Sequence, residues 1–335
     1  MNTLAHRRLL LSPGCRLLRT RGCLTVAARD EEISLTTADP DAFERALLAL
    51  DGQAAACANE QAGVPAAVLE PVLATLLEAD LLLDLDRASE APDPEAMAGA
   101  LRASARFWAR PIFEQPFWED LLAGRLSRAQ VLGWGTEFYH FVDAANRYMP
   151  LGVAHCRQAH ALHGALSRQY VEEMRHAAIF LDGLVECGLE RAALTAAPPL
   201  PQTLALINQL AELAYEGELA YTASFAIMQP GLTPPSETDL DRFYERLTEQ
   251  YPYAASLFRA FRRHAALDHD LRHEDTLFYR LCRDSGGLEP RQCRRAEAVM
   301  QTVAESFILF FEGIRDAYPG DAFAPRRPLH LEGLA

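Results

Sequence analysis

The stretch RQYVEEMRHAAIFLDGL, residues 168–184, sets two adjacent glutamates and a histidine into an apolar run at helical spacing. Counted at roughly 100° per residue, its apolar stripe is centred on Glu173, with Tyr170, Ala177, Phe180 and Leu184 around it. His176 lies one turn on, at the edge of that stripe, while Glu172 and Arg175 point away. A carboxylate and an imidazole on adjacent turns of a buried face are a common means by which helical bundles hold metal ions.

Two further helices repeat the pattern. In HAALDHDLRHED, residues 264–275, His264 and Asp268 share a sector with Leu257, Phe261, Leu267 and Phe278, and Asp275 falls on the same face. His269, Asp270 and His273 land on the far side with Arg262 and Arg263. In AELAYEGELAYTASFAI, residues 211–227, the stripe is centred on Glu216, with Glu212 as an inward alternative and Glu218 facing out. Ionised carboxylates inside an apolar bundle are costly unless neutralised, and no arginine shares these stripes. Divalent cations would resolve that charge, and mixed imidazole and carboxylate ligation suits iron or manganese better than zinc. Taken singly, an inward histidine or glutamate is more often a hydrogen-bonded core residue. Three helices that each centre a ligand-type residue are less easily accidental. A rival pairing, Glu137 with His140 in GTEFYHFVD, offers a second carboxylate–imidazole motif at the same spacing.

The rest of the chain frames these helices. Half of the 335 residues are apolar, as expected of a folded protein. The net charge of −14 argues against non-specific nucleic-acid binding. Every basic residue other than histidine is arginine, so lysine Schiff-base and P-loop chemistry are excluded. Seven dispersed cysteines without a CxxC fit a reducing compartment, and no apolar run approaches a membrane span. The cytoplasm is the plain expectation.

Residues 1–11 read as an irregular N-terminus. CRLLRTR, CLTVAAR and EEISLTT read as three strands. DPDAFERALLALDG then reads as a short helix, and VPAAVLEPVLATLLEADLLLDLD as a longer one running into a closing strand. Together they predict a small α+β, winged-helix-like domain over residues 12–86. A polar linker follows at 87–96, then a mainly α bundle of six to seven helices over 97–317 and an irregular tail at 318–335.

LAGRLSRAQVLGWGTEFYHFVDAANRYMP, EEMRHAAIFLDGLVECGL, AYEGEL and FRRHAALDH, in that order, resemble the heme-oxygenase-like superfamily, and most of all its di-iron oxidases and oxygenases. The resemblance implies two Fe(II) ions, O2 as co-substrate, and oxidation of a C–H or N–H bond in a small-molecule, amino-acid or peptide-bound substrate. Specialised-metabolite or modified-peptide biosynthesis is the implied setting. It further implies Glu173, His176, Glu216, His264 and Asp268 as metal ligands. The family pattern expects a histidine three residues after Asp268, where this chain has Leu271; His273 and Asp275 are the candidate sixth ligands. Glu137, Tyr139, His140 and Tyr148 are the substrate-pocket candidates.

The N-terminal run is similar to the winged-helix peptide-recognition domains of peptide-modifying enzymes. That implies a precursor or carrier peptide docked by strand addition. The expected partners are thus a small molecule or peptide, with no nucleic acid and no membrane; a homodimer is allowed for. Two other readings stay open: a metal-free oxidase similar to pyrroloquinoline quinone synthase, using His/Glu acid–base chemistry, and a non-enzymatic winged-helix binding protein.

Overall fold

The computed structural model describes residues 4–12, 15–28, 31–79, 81–86, 94–157, 160–228, 236–270 and 277–327; of these, the side chains of 31, 53, 160, 268–270 and 290 are not described. By its internal contacts the chain divides into two units, Met1–Phe107 with Cys282–Ala298, and Trp108–Leu281 with Val299–Ala335.

In the first unit the alternation of CLTVAA becomes β3 (Cys23–Ala28), which turns Leu24, Val26 and Ala28 into the core. It pairs antiparallel with β2 (Arg16–Thr20) and β4 (Glu31–Thr36), so the three expected strands form one sheet in chain order. Helix α1 (Pro40–Leu48) starts where Asp39 accepts a hydrogen bond from Ala42 N, with proline at its first turn, as the Asp-Pro start predicts. Helices α2 (Ala55–Ala62) and α3 (Ala66–Glu78) follow, and Phe43, Leu47, Leu69, Leu73 and Leu76 meet the sheet in one core.

The expectation of an irregular residues 1–11 is corrected here. Leu4–His6 form a 3₁₀ turn, and Arg8–Leu11 form β1, the middle strand of a second sheet. That strand lies between β5 (Asp51–Ala54) and β6 (Leu82–Asp84), both antiparallel to it. Its register is set by partners far along the chain, so four residues with an LLL run give no local signal. Leu9 and Leu10 are fully buried, which stabilises the strand more than any propensity could.

The rest of the chain, most of it in the second unit, is helical. Helix α4 (Pro94–Phe113) leads into that unit, followed by α5 (Pro116–Leu122), α6 (Arg128–Asp143), α7 (Ala145–His155), α8 (His160–Glu173) and α9 (His176–Glu186). Next come α10 (Arg191–Ala196), α11 (Pro201–Glu216), α12 (Glu218–Met228), α13 (Glu237–Gln250) and α14 (Ala255–Asp270), with α15 (Leu277–Asp284) and α16 (Pro290–Ala317) last. The six to seven long segments expected from sequence are there, but several are split. The breaks fall at Ala144, at Met174–Arg175 and at Gly217, whose φ of 137° only glycine adopts readily. No helix among the described residues is long and apolar enough to cross a membrane.

Helix α6 begins with a full capping box between Ser127 and Gln130, then packs on α9 and α11. Helix α9 also packs on α14, and the two come close at Gly183. A Cβ there would lie 2.9 Å from Ala260 Cβ and 3.0 Å from Ser256 O. Gly183→Ala is therefore expected to force the two helices apart and to destabilise the fold by about 1–3 kcal/mol. A fall in melting temperature of roughly 2–4 °C per kcal/mol would register it; an unchanged melt would show that the crossing is loose.

Candidate metal centre

The pairing of α9 with α14 at Gly183 and Ala260 runs antiparallel, so His176, two turns before Gly183, comes to face His264, one turn after Ala260. Their rings are 5.0 Å apart, edge to face. Glu173 ends α8 and His176 begins α9, yet the short break keeps them one turn apart: Glu173 Oε2 is 2.7 Å from His176 Nδ1. One ligand atom from each of Glu173, His176 and His264 lies within 4.8 Å of the other two. His176 is buried, and Phe180 and Phe138 pack their rings against His264.

Two imidazoles and one carboxylate in an apolar setting are a donor set that fits non-heme iron: nitrogen and oxygen ligands, no thiolate, and coordination positions left over. Three of the five expected ligands are thus brought together. Asp268 belongs to α14, one turn beyond His264, but its side chain lies outside the described residues, as do Leu271, His273 and Asp275 altogether.

Glu216 departs from expectation. It is exposed, at the last position of α11, as is Glu212. The phase count ran straight through residues 211–227, whereas Gly217 ends one helix and starts the next with a new phase. The counted stripe is therefore two faces, Leu210, Leu213 and Ala214 on α11 and Ala220, Ala223 and Ile227 on α12, and Glu216 centres neither.

Beside the three residues is a cavity of about 220 Å³, lined by Phe138, Phe141, Val142, Ala145, Tyr148, Met149, Gln169, Glu173, Phe225, Met228, His264 and Phe307. Of the four pocket candidates, Tyr148 lines it and Glu137, Tyr139 and His140 do not. Burial pushes the Tyr148 phenol well above its ordinary range, and the charge of Glu173 pushes the same way. Tyr221, fully buried in α12, is raised by burial first and then by Tyr148 and Glu173. Both phenols stay protonated beside the cluster.

The face of α6 that meets the cavity carries Phe138, Phe141 and Val142, so Glu137 points elsewhere. Its carboxylate is buried and accepts from the Tyr318 hydroxyl at 2.6 Å and from Leu200 N at 2.9 Å. A Cβ at Gly133, one turn earlier, would sit 2.3 Å from the Tyr318 ring. Glu137 is thus the inner half of a clasp on the C-terminal tail. In the second Glu–His motif the glutamate therefore has both oxygens engaged by the fold, and neither residue belongs to the metal-type cluster found among the described residues.

His140, on the same turn, has its imidazole pushed down to about 4, by burial above all and then by Arg147 and Arg326. In the unfolded chain it titrates near 6.5. Its neutral form therefore stabilises the fold fully above about pH 6.5, and that contribution fades as pH falls toward about 4. His140→Gln is expected to remove about 1–3 kcal/mol of acid sensitivity between pH 7 and roughly pH 4.5. Urea midpoints of both proteins at the two pH values measure it, and parallel losses would refute it.

Gln169, Phe138, Met149 and Tyr221 are the site residues that sequence reasoning passed over. Gln169 was within reach, since it precedes Glu173 by one turn on the same face. Tyr221 was not, because its phase is hidden behind the break at Gly217.

Comparison with known proteins adds the following. Residues 132–307 match the family described as "Iron-containing redox enzyme". A domain of unknown function with a heme oxygenase-like fold from Shewanella denitrificans superposes with a TM-score of 0.53 at 16% identity, over 64% of this chain and 90% of that one. A TenA homolog from Pseudomonas syringae gives 0.50 at 12% identity, over 65% and 92%. A TenA homologue from P. horikoshii gives 0.48 at 16%, over 66% and 98%. The first two establish a heme-oxygenase-like fold for the helical part. No curated protein matches the chain.

Proposed function

The chain belongs to the iron-containing redox enzyme family, and from that premise we propose that it is a non-heme oxidase or oxygenase that uses O2 to oxidise a C–H or N–H bond of a small substrate. The observation that carries this reading is the convergence of Glu173, His176 and His264 ligand atoms within 4.8 Å at the end of a largely apolar cavity. Bound iron would supply the activation of O2 and the oxidising power for the reaction. The chain's own residues would do the rest. Glu173, His176 and His264 would hold the first of two Fe(II) ions. Asp268 and Glu216 are the proposed further ligands, the latter requiring a turn at the Gly217 junction. The phenylalanines keep water from the reacting bond. Tyr148, protonated and facing the cavity, would donate a hydrogen bond from its phenol oxygen to the occupant while keeping its proton.

For the first unit we propose a carrier peptide added to an edge of the β2-β3-β4 sheet, supported by the largely exposed strand β2.

A second reading has one observation in its favour. The 2.7 Å approach of Glu173 to His176 also suits a metal-free acid–base dyad, with the carboxylate orienting the imidazole. Anaerobic Fe(II) titration, desalting and metal counting separate the two. Retained iron in stoichiometric amount is expected; protein that comes through desalting with none would overturn the iron reading and leave the dyad.

A further inference from the structure

The wall of the cavity restricts what can occupy it. Phe138, Phe141, Phe225 and Phe307 present aromatic surface, and no arginine is among the described lining residues, in a chain that has no lysine. In the metal-free site only His264 among the described lining residues could offset a carboxylate or a phosphate, and Glu173 would repel one. Gln169 breaks the apolar wall. It is 8% exposed, and its Oε1 is buried with no hydrogen-bond partner among the described residues. A buried acceptor without a donor is unfavourable, so an occupant that brings a donor is selected over one that does not. Aromatic faces beside that acceptor also tolerate an ammonium group.

Size sets the other limit. About 220 Å³ is below the roughly 300–1,000 Å³ of sites for larger ligands. It holds the equivalent of roughly seven waters at about 30 Å³ each, the bulk of one ring with a short chain.

We propose that the substrate of this site is a small apolar amine or alcohol, without an anionic group, whose polar head donates a hydrogen bond to the Gln169 amide oxygen. This deepens the oxidase reading by naming the substrate class, and it rests on that reading only in calling the occupant a substrate. The binding itself requires no metal.

Isothermal calorimetry on the metal-free full chain tests it with four probes of similar bulk: phenylpropylamine, phenylpropanol, phenylpropionate and the ketone benzylacetone. The amine and the alcohol are expected to bind about tenfold or more tightly than the ketone, which can only accept, and than the acid. Gln169→Leu is expected to erase that tenfold advantage while leaving benzylacetone unchanged. Should Gln169→Leu fail to fold by circular dichroism, Gln169→Glu carries the test: it should keep the amine and weaken phenylpropionate further. Equal affinities across the four probes, no binding by any, or a donor preference that survives in Gln169→Leu would overturn the proposal. Iron counting on the same preparation reports on the oxidase reading independently, so the two fail separately.

Discussion

His264→Ala is expected to lower Fe(II) affinity by more than about 100-fold, enough to leave the protein without iron after anaerobic loading and desalting. The size follows from comparison: removing a group that merely supports a ligand costs roughly 10–100-fold in metal affinity, and a direct ligand must cost more. His264 has no evident substitute. Its ring faces His176 at 5.0 Å, and Phe138 and Phe180 flank it, so no neighbouring nitrogen or oxygen among these contacts takes its place. His176→Ala is expected to match it. The informative contrast is His273→Ala, on the same stretch of sequence but on the opposite helical face by phase. It should keep its iron; equal loss in both would mean that the regular phase fails beyond Asp270. Retention of iron by His264→Ala would remove the centre as drawn.

Glu137→Ala is expected to destabilise the protein by about 3–5 kcal/mol, a drop in melting temperature on the order of 10 °C. The carboxylate accepts from both the Tyr318 hydroxyl and Leu200 N in a fully buried position. Its removal strands two donors at roughly 1–3 kcal/mol each and leaves a void besides. Gly133→Ala should act through the same contact from the other side, since its methyl would drive into the Tyr318 ring. The tail is further tied down where Arg128 N donates to Asp321 and Arg326 donates to Pro199 O. In both variants limited trypsin digestion should clip the chain at Arg326 before the bundle unfolds. A tail as resistant as wild type would show that Glu137 is not its anchor.

How far the sequence could be read follows from where each signal lives. Glu173, His176 and His264 were found by helical phase because the break at Met174–Arg175 is too short to disturb an i,i+3 pair and α14 stays regular through His264. Glu216 was misplaced by the same count, because a single positive-φ glycine restarts the phase after it. Glu137 looked like a metal residue because nothing near it in sequence shows its partners. Leu200 and Tyr318 lie far along the chain and only the fold brings them in. The β2-β3-β4 sheet was legible because its pairings are between neighbours, whereas β1 was not, because its partners are distant.

That central position of β1 also fixes a timetable. Leu10 pairs with Leu83, about 70 residues later, so the sheet cannot close on the ribosome until most of the first unit has been made. At roughly 5–20 residues per second, the leucines of β1 wait several seconds for their second neighbour. Over that interval LLL is an unpaired, sticky strand. A fusion partner or chaperone acting at the N-terminus should therefore change the yield of this protein more than its final stability.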